Sequence, residues 1–133
     1  MSTNTSTSGR TTEAPVSGRR DRGQVAMEYL GFIPLLLLVG LLAIQAGLAA
    51  YAANQAGTGA RAGARMASMS MGGCDRHAAL GAMSDWTAHR ATFPRGGSSR
   101  DEVTCKVRVK IPRVVPGVDI WGWAERSSTM PRT

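Results

Sequence analysis

Glu28 is the residue whose position in this sequence most needs a chemical explanation. It stands at the entrance of an apolar run, and from Tyr29 to Ala60 no side chain carries a charge. A carboxylate in hydrocarbon is costly unless it meets a cation, so an acidic residue there indicates an interaction site. Gly23 precedes it, and a glycine lets the backbone enter a tight protease cleft. A cut between Gly23 and Gln24 would create an α-ammonium close to the carboxylate.

In an assembly of subunits, such an ammonium could neutralise the Glu28 carboxylate of a neighbour. Charge pairing is strong in a low dielectric, but the cost of desolvation offsets much of the gain. The pair is therefore expected to set the register between subunits more than their stability. The alternative is that Glu28 lies among lipid headgroups, because it stands only at the helix entrance.

The cysteines Cys74 and Cys105 are the other residues that could do chemistry. They can form a disulfide or, together with His77 and His89, bind a metal such as zinc. The spacing of Cys74 and His77 suits zinc ligands, whereas the spacing of His89 and Cys105 matches no familiar pattern. We therefore expect no metal and no other cofactor.

Catalytic motifs are absent from the sequence. It contains no nucleophile elbow, no HExxH motif, no phosphate-binding loop and no convincing carboxylate pair. The adjacent residues Asp101 and Glu102 are typical of a solvated loop. The protein is therefore predicted not to be an enzyme.

The element that must position Glu28 is the apolar run, whose densest part extends from Leu30 to Ala53 over 24 residues. About 20 apolar helical residues cross the hydrocarbon core, so residues 24–53 are predicted to form a transmembrane helix. Gln45 is a polar residue inside this span that could hydrogen-bond to a partner helix.

Small residues recur along one face of the predicted span at intervals of three or four. Such a face lets another helix approach closely in lipid, where apolar burial itself gives no drive to associate. The alternative is that alanine and glycine are simply abundant in this chain. The residues of the face are Gly40, Ala43, Gly47 and Ala50.

The segment Gly23–Tyr29 also carries a resemblance to a known family. With arginines before it and a charge-free helix after it, it resembles the processing site of Flp-type pilins and of TadE-like pseudopilins of tight-adherence (Tad) secretion systems. In those proteins an aspartic prepilin peptidase cuts after the glycine, which implies a mature chain that begins at Gln24. Glu28 and Tyr29 would then form part of the assembly site. The resemblance covers residues 19–65 well and the remainder only loosely.

The resemblance also implies the topology, with the basic leader in the cytoplasm and the C-terminal part outside. Charge counting alone leaves the orientation open, because Arg61 and Arg65 follow the span. The predicted organisation is a disordered, cleaved leader (1–23), a transmembrane helix (24–53), a stalk helix (54–72) and a small extracytoplasmic head (73–133).

The head is predicted to combine a short helix with a β-hairpin, so that the fold class is α+β. Asp75 is a plausible N-cap for a helix that extends to about His89. Residues 103–111 alternate between apolar and polar side chains as in a strand. After a turn at Val115–Gly117, a second strand from about Val118 to Ser127 should return antiparallel. Trp121 and Trp123 would share one of its faces.

If the head is exported, Cys74 and Cys105 are expected to form a disulfide that joins the helix to the hairpin. The chain-entropy estimate for a loop of this length is about 3–4 kcal/mol.

The part of the chain from Asn54 to Thr133 is basic, with 12 Lys and Arg against 6 Asp and Glu. The plain interpretation is a solvated sheet face that prevents edge pairing. The sharper one is contact with a polyanion, such as cell-wall polymer, anionic lipid headgroups or DNA. No DNA-binding motif is present, so nucleic acid is not the expected partner. The basic face consists of Lys106, Arg108, Lys110 and Arg113.

Two functions remain. The resemblance implies a minor pilin-like (pseudopilin) structural subunit of a Tad/Flp type IV pilus or secretion apparatus in the bacterial cytoplasmic membrane. Its partners would be the membrane, the prepilin peptidase, other pilin-like subunits and Tad assembly proteins. A minor role is favoured because major Flp pilins are usually little more than the helix.

The alternative is an uncleaved, membrane-anchored accessory protein whose basic head binds cell-wall polymer or a partner protein. A cut after Ala49 would instead release the head.

Overall fold

In this computed structural model the described residues are Met1, Gly9, 20–117 and 122–133, with side chains described for all except residues 20–22 and 24. The chain begins with a long helix, α1, from Arg20 to Ser68, and Pro34 lies inside it. Among the described residues, its segment Val25–Ser68 is the one helix long and apolar enough to cross a membrane. The predicted long N-terminal helix is therefore confirmed.

Beyond α1 the described chain forms a small head of short helices and an antiparallel sheet, which confirms the predicted α+β fold class. The elements are α2 (Arg76–Gly81), α3 (Asp85–Ala88), β1 (Ala91–Thr92), β2 (Glu102–Lys110) and β3 (Trp123–Pro131). The three strands lie in the order β1-β2-β3, so that β2 is central.

The single helix expected from Asp75 to His89 is broken into α2 and α3. Asp75 caps α2 as predicted, since its Oδ1 accepts a hydrogen bond from the Ala78 amide at 3.0 Å. The break lies before Ser84, whose amide donates to Oε1 of Gln55 in α1 at 2.9 Å. That amide therefore does not continue the helical hydrogen bonds, and a contact distant in sequence ends the helix.

Strand β2 lies one residue from its predicted position, and its alternation is confirmed: Val103, Cys105, Val107 and Val109 are fully buried. The described second strand, β3, runs from Trp123 to Pro131 and so continues beyond the predicted end at Ser127. Lys110 pairs with Trp123, and the Ile111 amide donates a hydrogen bond to the Gly122 carbonyl at 3.1 Å. Residues 118–121, which include the predicted start of the strand and Trp121, lie outside the described residues.

The core of the head lies between one face of α1 and the sheet. A four-residue repeat of fully buried alanines, Ala52, Ala56, Ala60 and Ala64, packs in the same cluster as the buried side chains of β2. Residues four apart stack on one side of a helix, so these alanines form a smooth strip on which the sheet can rest. Residues of the predicted stalk thus form one wall of the core.

The end of the chain is tied to the end of α1. The guanidinium of Arg132 donates hydrogen bonds to the carbonyl oxygens of Ser70 and Gly72, the latter at 2.9 Å. Its Nε donates to the Ser99 carbonyl at 3.0 Å. Arg132 therefore joins three segments at the end of the head where α1 finishes.

Candidate functional site

The predicted assembly residues lie on an exposed face near the start of α1. Val25, Glu28, Tyr29 and Phe32 line one shallow surface groove. Tyr29 is 64% exposed and Phe32 is 52% exposed, so this face is apolar around a single carboxylate. Among the side chains that the structure describes, none forms an ion pair with Glu28. The face could therefore accept an apolar partner that brings one cation.

Gly23 lies in the first turn of α1 and is exposed. A Cβ placed there would meet no atom within 4 Å. The side chain of Gln24 lies outside the described side chains. The peptide bond after Gly23 is helical, so a protease that cut there would have to unwind the first turn. A glycine in a helix lowers the cost of unwinding by about 1 kcal/mol relative to alanine.

The predicted helix-packing residues Gly40, Ala43, Gly47 and Ala50 are all exposed. A Cβ at Gly40 or Gly47 would meet nothing within 4 Å. Positions two apart do not share a helix face, so Ala50 lies away from the buried Ala52. This face makes no close packing contact within the described chain, and its role in contacts between subunits stays a prediction.

Gln45, which was expected to hydrogen-bond to a partner helix, instead binds backbone groups of its own chain. It is only 7% exposed, its Nε2 donates to the Pro112 carbonyl at 3.2 Å, and its Oε1 accepts from the Val114 amide at 2.9 Å. Both ends of the amide thus hold the segment that follows β2. Sequence reasoning missed this role because a contact across 67 residues leaves no local pattern.

Cys74 and Cys105 form a disulfide, as predicted, with their Cα atoms 4.8 Å apart. The bond joins the residue before the N-cap of α2 to the central strand, against α1 at Gly63. A Cβ at Gly63 would lie 2.8 Å from the Cys105 Sγ and 2.9 Å from the Asp75 carbonyl oxygen. Because both sulfurs are in the disulfide, the alternative metal site loses its thiolates.

The predicted basic face is partly neutralised within the sheet. Arg108 forms an ion pair with Glu125, with its Nε 2.8 Å from Oε2. Lys106 is half-buried, whereas Lys110 and Arg113 are exposed. The cations of this face are therefore not equivalent, and the exposed ones lie at and just beyond the end of β2.

An exposed tryptophan, which sequence reasoning did not select, stands beside these cations. Trp123 is 51% exposed, and its ring centre is 5.8 Å from Lys110 Nζ and 5.9 Å from Arg108 Cζ. Lys110, Arg113 and Trp123 line one shallow groove together with Ile111 and Gly122. The pairing of Lys110 with Trp123 was hidden because the strand register was unknown.

Comparison with known proteins bears on the N-terminal segment. Residues 23–65 match the family model described as TadE-like protein. No curated protein and no solved structure matches the chain. TadE-like proteins are structural and pilus-associated rather than enzymatic, which agrees with the lack of catalytic motifs. The segment that begins at Gly23 and contains Glu28 is therefore similar to the TadE-like family, in agreement with the resemblance noted from the sequence.

Proposed function

We propose that this protein is a minor pilin-like subunit of a Tad pilus or secretion apparatus, cleaved after Gly23 and assembled through α1. The observation that carries the proposal is the family match, which begins at Gly23 and runs along the apolar helix. The role is structural, with the C-terminal head presented outside the cytoplasmic membrane.

Assembly in this proposal depends on the groove around Glu28. Cleavage places the new ammonium of Gln24 one helical turn before Glu28, on the same protein. In a filament the ammonium of one subunit meets the carboxylate of its neighbour, while Tyr29 and Phe32, both exposed, pack against the neighbouring helix. The ion pair fixes which subunit surfaces match, because an unpaired carboxylate in hydrocarbon is strongly unfavourable.

The cleavage step is tested by the mass and N-terminal sequence of protein purified from its native envelope. The mature chain should begin at Gln24, and Gly23→Ala should retain the leader. Gly31→Ala is the matched control, since Gly31 lies in the same helix and a Cβ there also meets nothing within 4 Å; it should be processed normally. A functional protein that begins at Met1 would contradict the proposal, and one that begins at Ala50 would indicate a secreted head.

The assembly step is tested by Glu28→Ala. Membrane insertion should be unaffected, because the change makes the span more apolar. Co-purification of other pilin-like subunits (sister pilins) with the variant should be lost. Glu102→Ala is the control, since it removes an exposed carboxylate from the head and should leave assembly intact. If sister pilins co-purify equally with both variants, charge pairing at Glu28 is wrong.

The uncleaved accessory protein remains the second candidate, and the exposed Trp123 between two cations is the observation that favours it. An aromatic ring beside cations suits contact with a polyanionic wall polymer. The same N-terminal sequencing decides between the two, because this candidate keeps residues 1–23.

A further inference from the structure

We propose that the exposed corner of the head formed by Lys110, Arg113 and Trp123, here called the basic corner, binds anionic headgroups of the bilayer that α1 enters. The head would then rest on the membrane surface at the level of Gln45. This inference rests on α1 spanning a membrane and not on cleavage or assembly.

The exposure of side chains along α1 indicates where the bilayer ends. Of the large apolar side chains from Val25 to Ile44, all but the half-buried Leu41 are exposed, whereas Gln45 is buried by the head. The segment from Val25 to Ile44 contains 20 residues, and about 20 helical residues cross the hydrocarbon core. Beyond Gln45, one face of α1 is covered by protein whose outer surface carries ions such as Arg108 and Glu125. In this proposal the bilayer ends near Gln45, whereas the sequence prediction places the limit of the span at Ala53.

The contacts of Gln45 show which part of the head lies closest to this end of the apolar segment. Gln45 holds Pro112 and Val114 through both ends of its amide. Arg113 stands between these two residues, and Lys110 pairs with Trp123 across the adjoining strands. The basic corner is thus the part of the head directly connected to the last residue of the apolar span.

The residue types of the basic corner suit the interface between lipid and water. Tryptophan is enriched at membrane–water interfaces because its ring is apolar and its N–H is polar. Lysine and arginine next to the bilayer are attracted by anionic lipid, each strengthening surface binding about fivefold. Arg113 and Lys110 are exposed, and Trp123 is 51% exposed. A free polyanion could use the same charges, but the position of the corner beside the span favours the lipid surface.

The opposite end of the head provides an internal control. Arg95 lines a groove with Gly73, and Arg100 lines another with Met71, both just beyond the end of α1. These arginines are exposed and carry the same charge as the corner, but they lie at the far end of the α1 segment that the head covers. The proposal requires that lipid distinguish the two ends.

The experiment uses the full chain reconstituted in vesicles of phosphatidylcholine with or without phosphatidylglycerol, with brominated lipids as quenchers. In the variant Trp86→Phe/Trp121→Phe, the emission of Trp123 should be blue-shifted and quenched by bromines near the headgroups. In the variant Trp121→Phe/Trp123→Phe, the emission of Trp86, which stacks on Tyr51 of α1, should be quenched much less. Emission of Trp123 as in water, without quenching, would overturn the proposal.

Charge reversal separates lipid from other anions. In the Trp123-only variant, Lys110→Glu/Arg113→Glu should lower quenching in phosphatidylglycerol vesicles to the level in pure phosphatidylcholine. Arg95→Glu/Arg100→Glu, an equal change of charge, should leave the quenching unchanged. Equal loss from both pairs would overturn the proposal. So would displacement of Trp123 from the vesicles by soluble polyphosphate, because that result would assign the corner to a polymer.

Discussion

The two parts of α1 on either side of Gln45 have different neighbours. Before Gln45 the helix presents large exposed side chains, such as Leu36 and Leu37. After it, the buried side is made of alanines against the sheet. A continuous apolar run in sequence thus divides into a segment with exposed apolar side chains and a segment that forms part of the core of the head.

Glycine shows the same contrast. A Cβ at Gly40 would meet nothing, whereas one at Gly63 would meet the disulfide and the backbone before α2, and one at Gly59 would lie 2.6 Å from the Met83 Sδ. Small residues in an apolar helix therefore indicate close approach without saying of what. In the later segment the partner is this chain's own head.

The disulfide should produce the largest difference between the two segments. Cys74→Ala/Cys105→Ala is expected to lower the free energy of unfolding of the head by about 3–4 kcal/mol. Insertion of α1 should be unaffected, because the bond joins two residues of the head, Cys74 and Cys105, and leaves the apolar sequence of α1 unchanged. Urea titration in mild detergent, followed by tryptophan fluorescence, measures the first effect, and alkaline extraction of membranes measures the second. An unchanged urea midpoint would contradict the predicted stabilisation.

Gly63→Ala should have the next largest effect. Its Cβ would lie 2.8 Å from the Cys105 Sγ, and overpacking of this kind costs about 1–3 kcal/mol. The better helix propensity of alanine offsets about 1 kcal/mol of that cost. Gly40→Ala is the matched change in the earlier segment and should leave the urea midpoint of the head unchanged. Equal midpoints for the two variants would show that the close approach at Gly63 is unimportant.

Gln45→Ala should have the smallest effect on stability. It leaves the Pro112 carbonyl and the Val114 amide without their partner, and because both residues are half-buried, water limits the loss to about 1 kcal/mol. Local opening should increase tryptic cleavage after Arg113 severalfold, which a time course followed by mass spectrometry can measure. Ala46→Gln, which adds an amide at an exposed neighbouring position, should leave the cleavage rate unchanged. Faster cleavage in that control would remove the assignment to Gln45.

Sequence patterns predicted correctly those features that depend on interactions between residues close in sequence. The alternation of β2 and the Asp75 cap were both predicted, because strand amphipathicity and capping depend on residues within a few positions. The break between α2 and α3 was missed because Gln55 binds the Ser84 amide from 29 residues away. The continuation of β3 to Pro131 was missed for a similar reason, since the register depends on pairing across the sheet.

By itself the sequence determined that a helix with a long uncharged stretch precedes a small head, that an acidic residue follows Gly23 at the helix entrance, and that the central strand is amphipathic. Only the tertiary structure decided which face of that helix is buried and that Gln45 marks the start of the buried part. The reason is physical: alanine and glycine are equally compatible with lipid and with a packed sheet. Their environment is therefore set by distant residues that the fold brings to them.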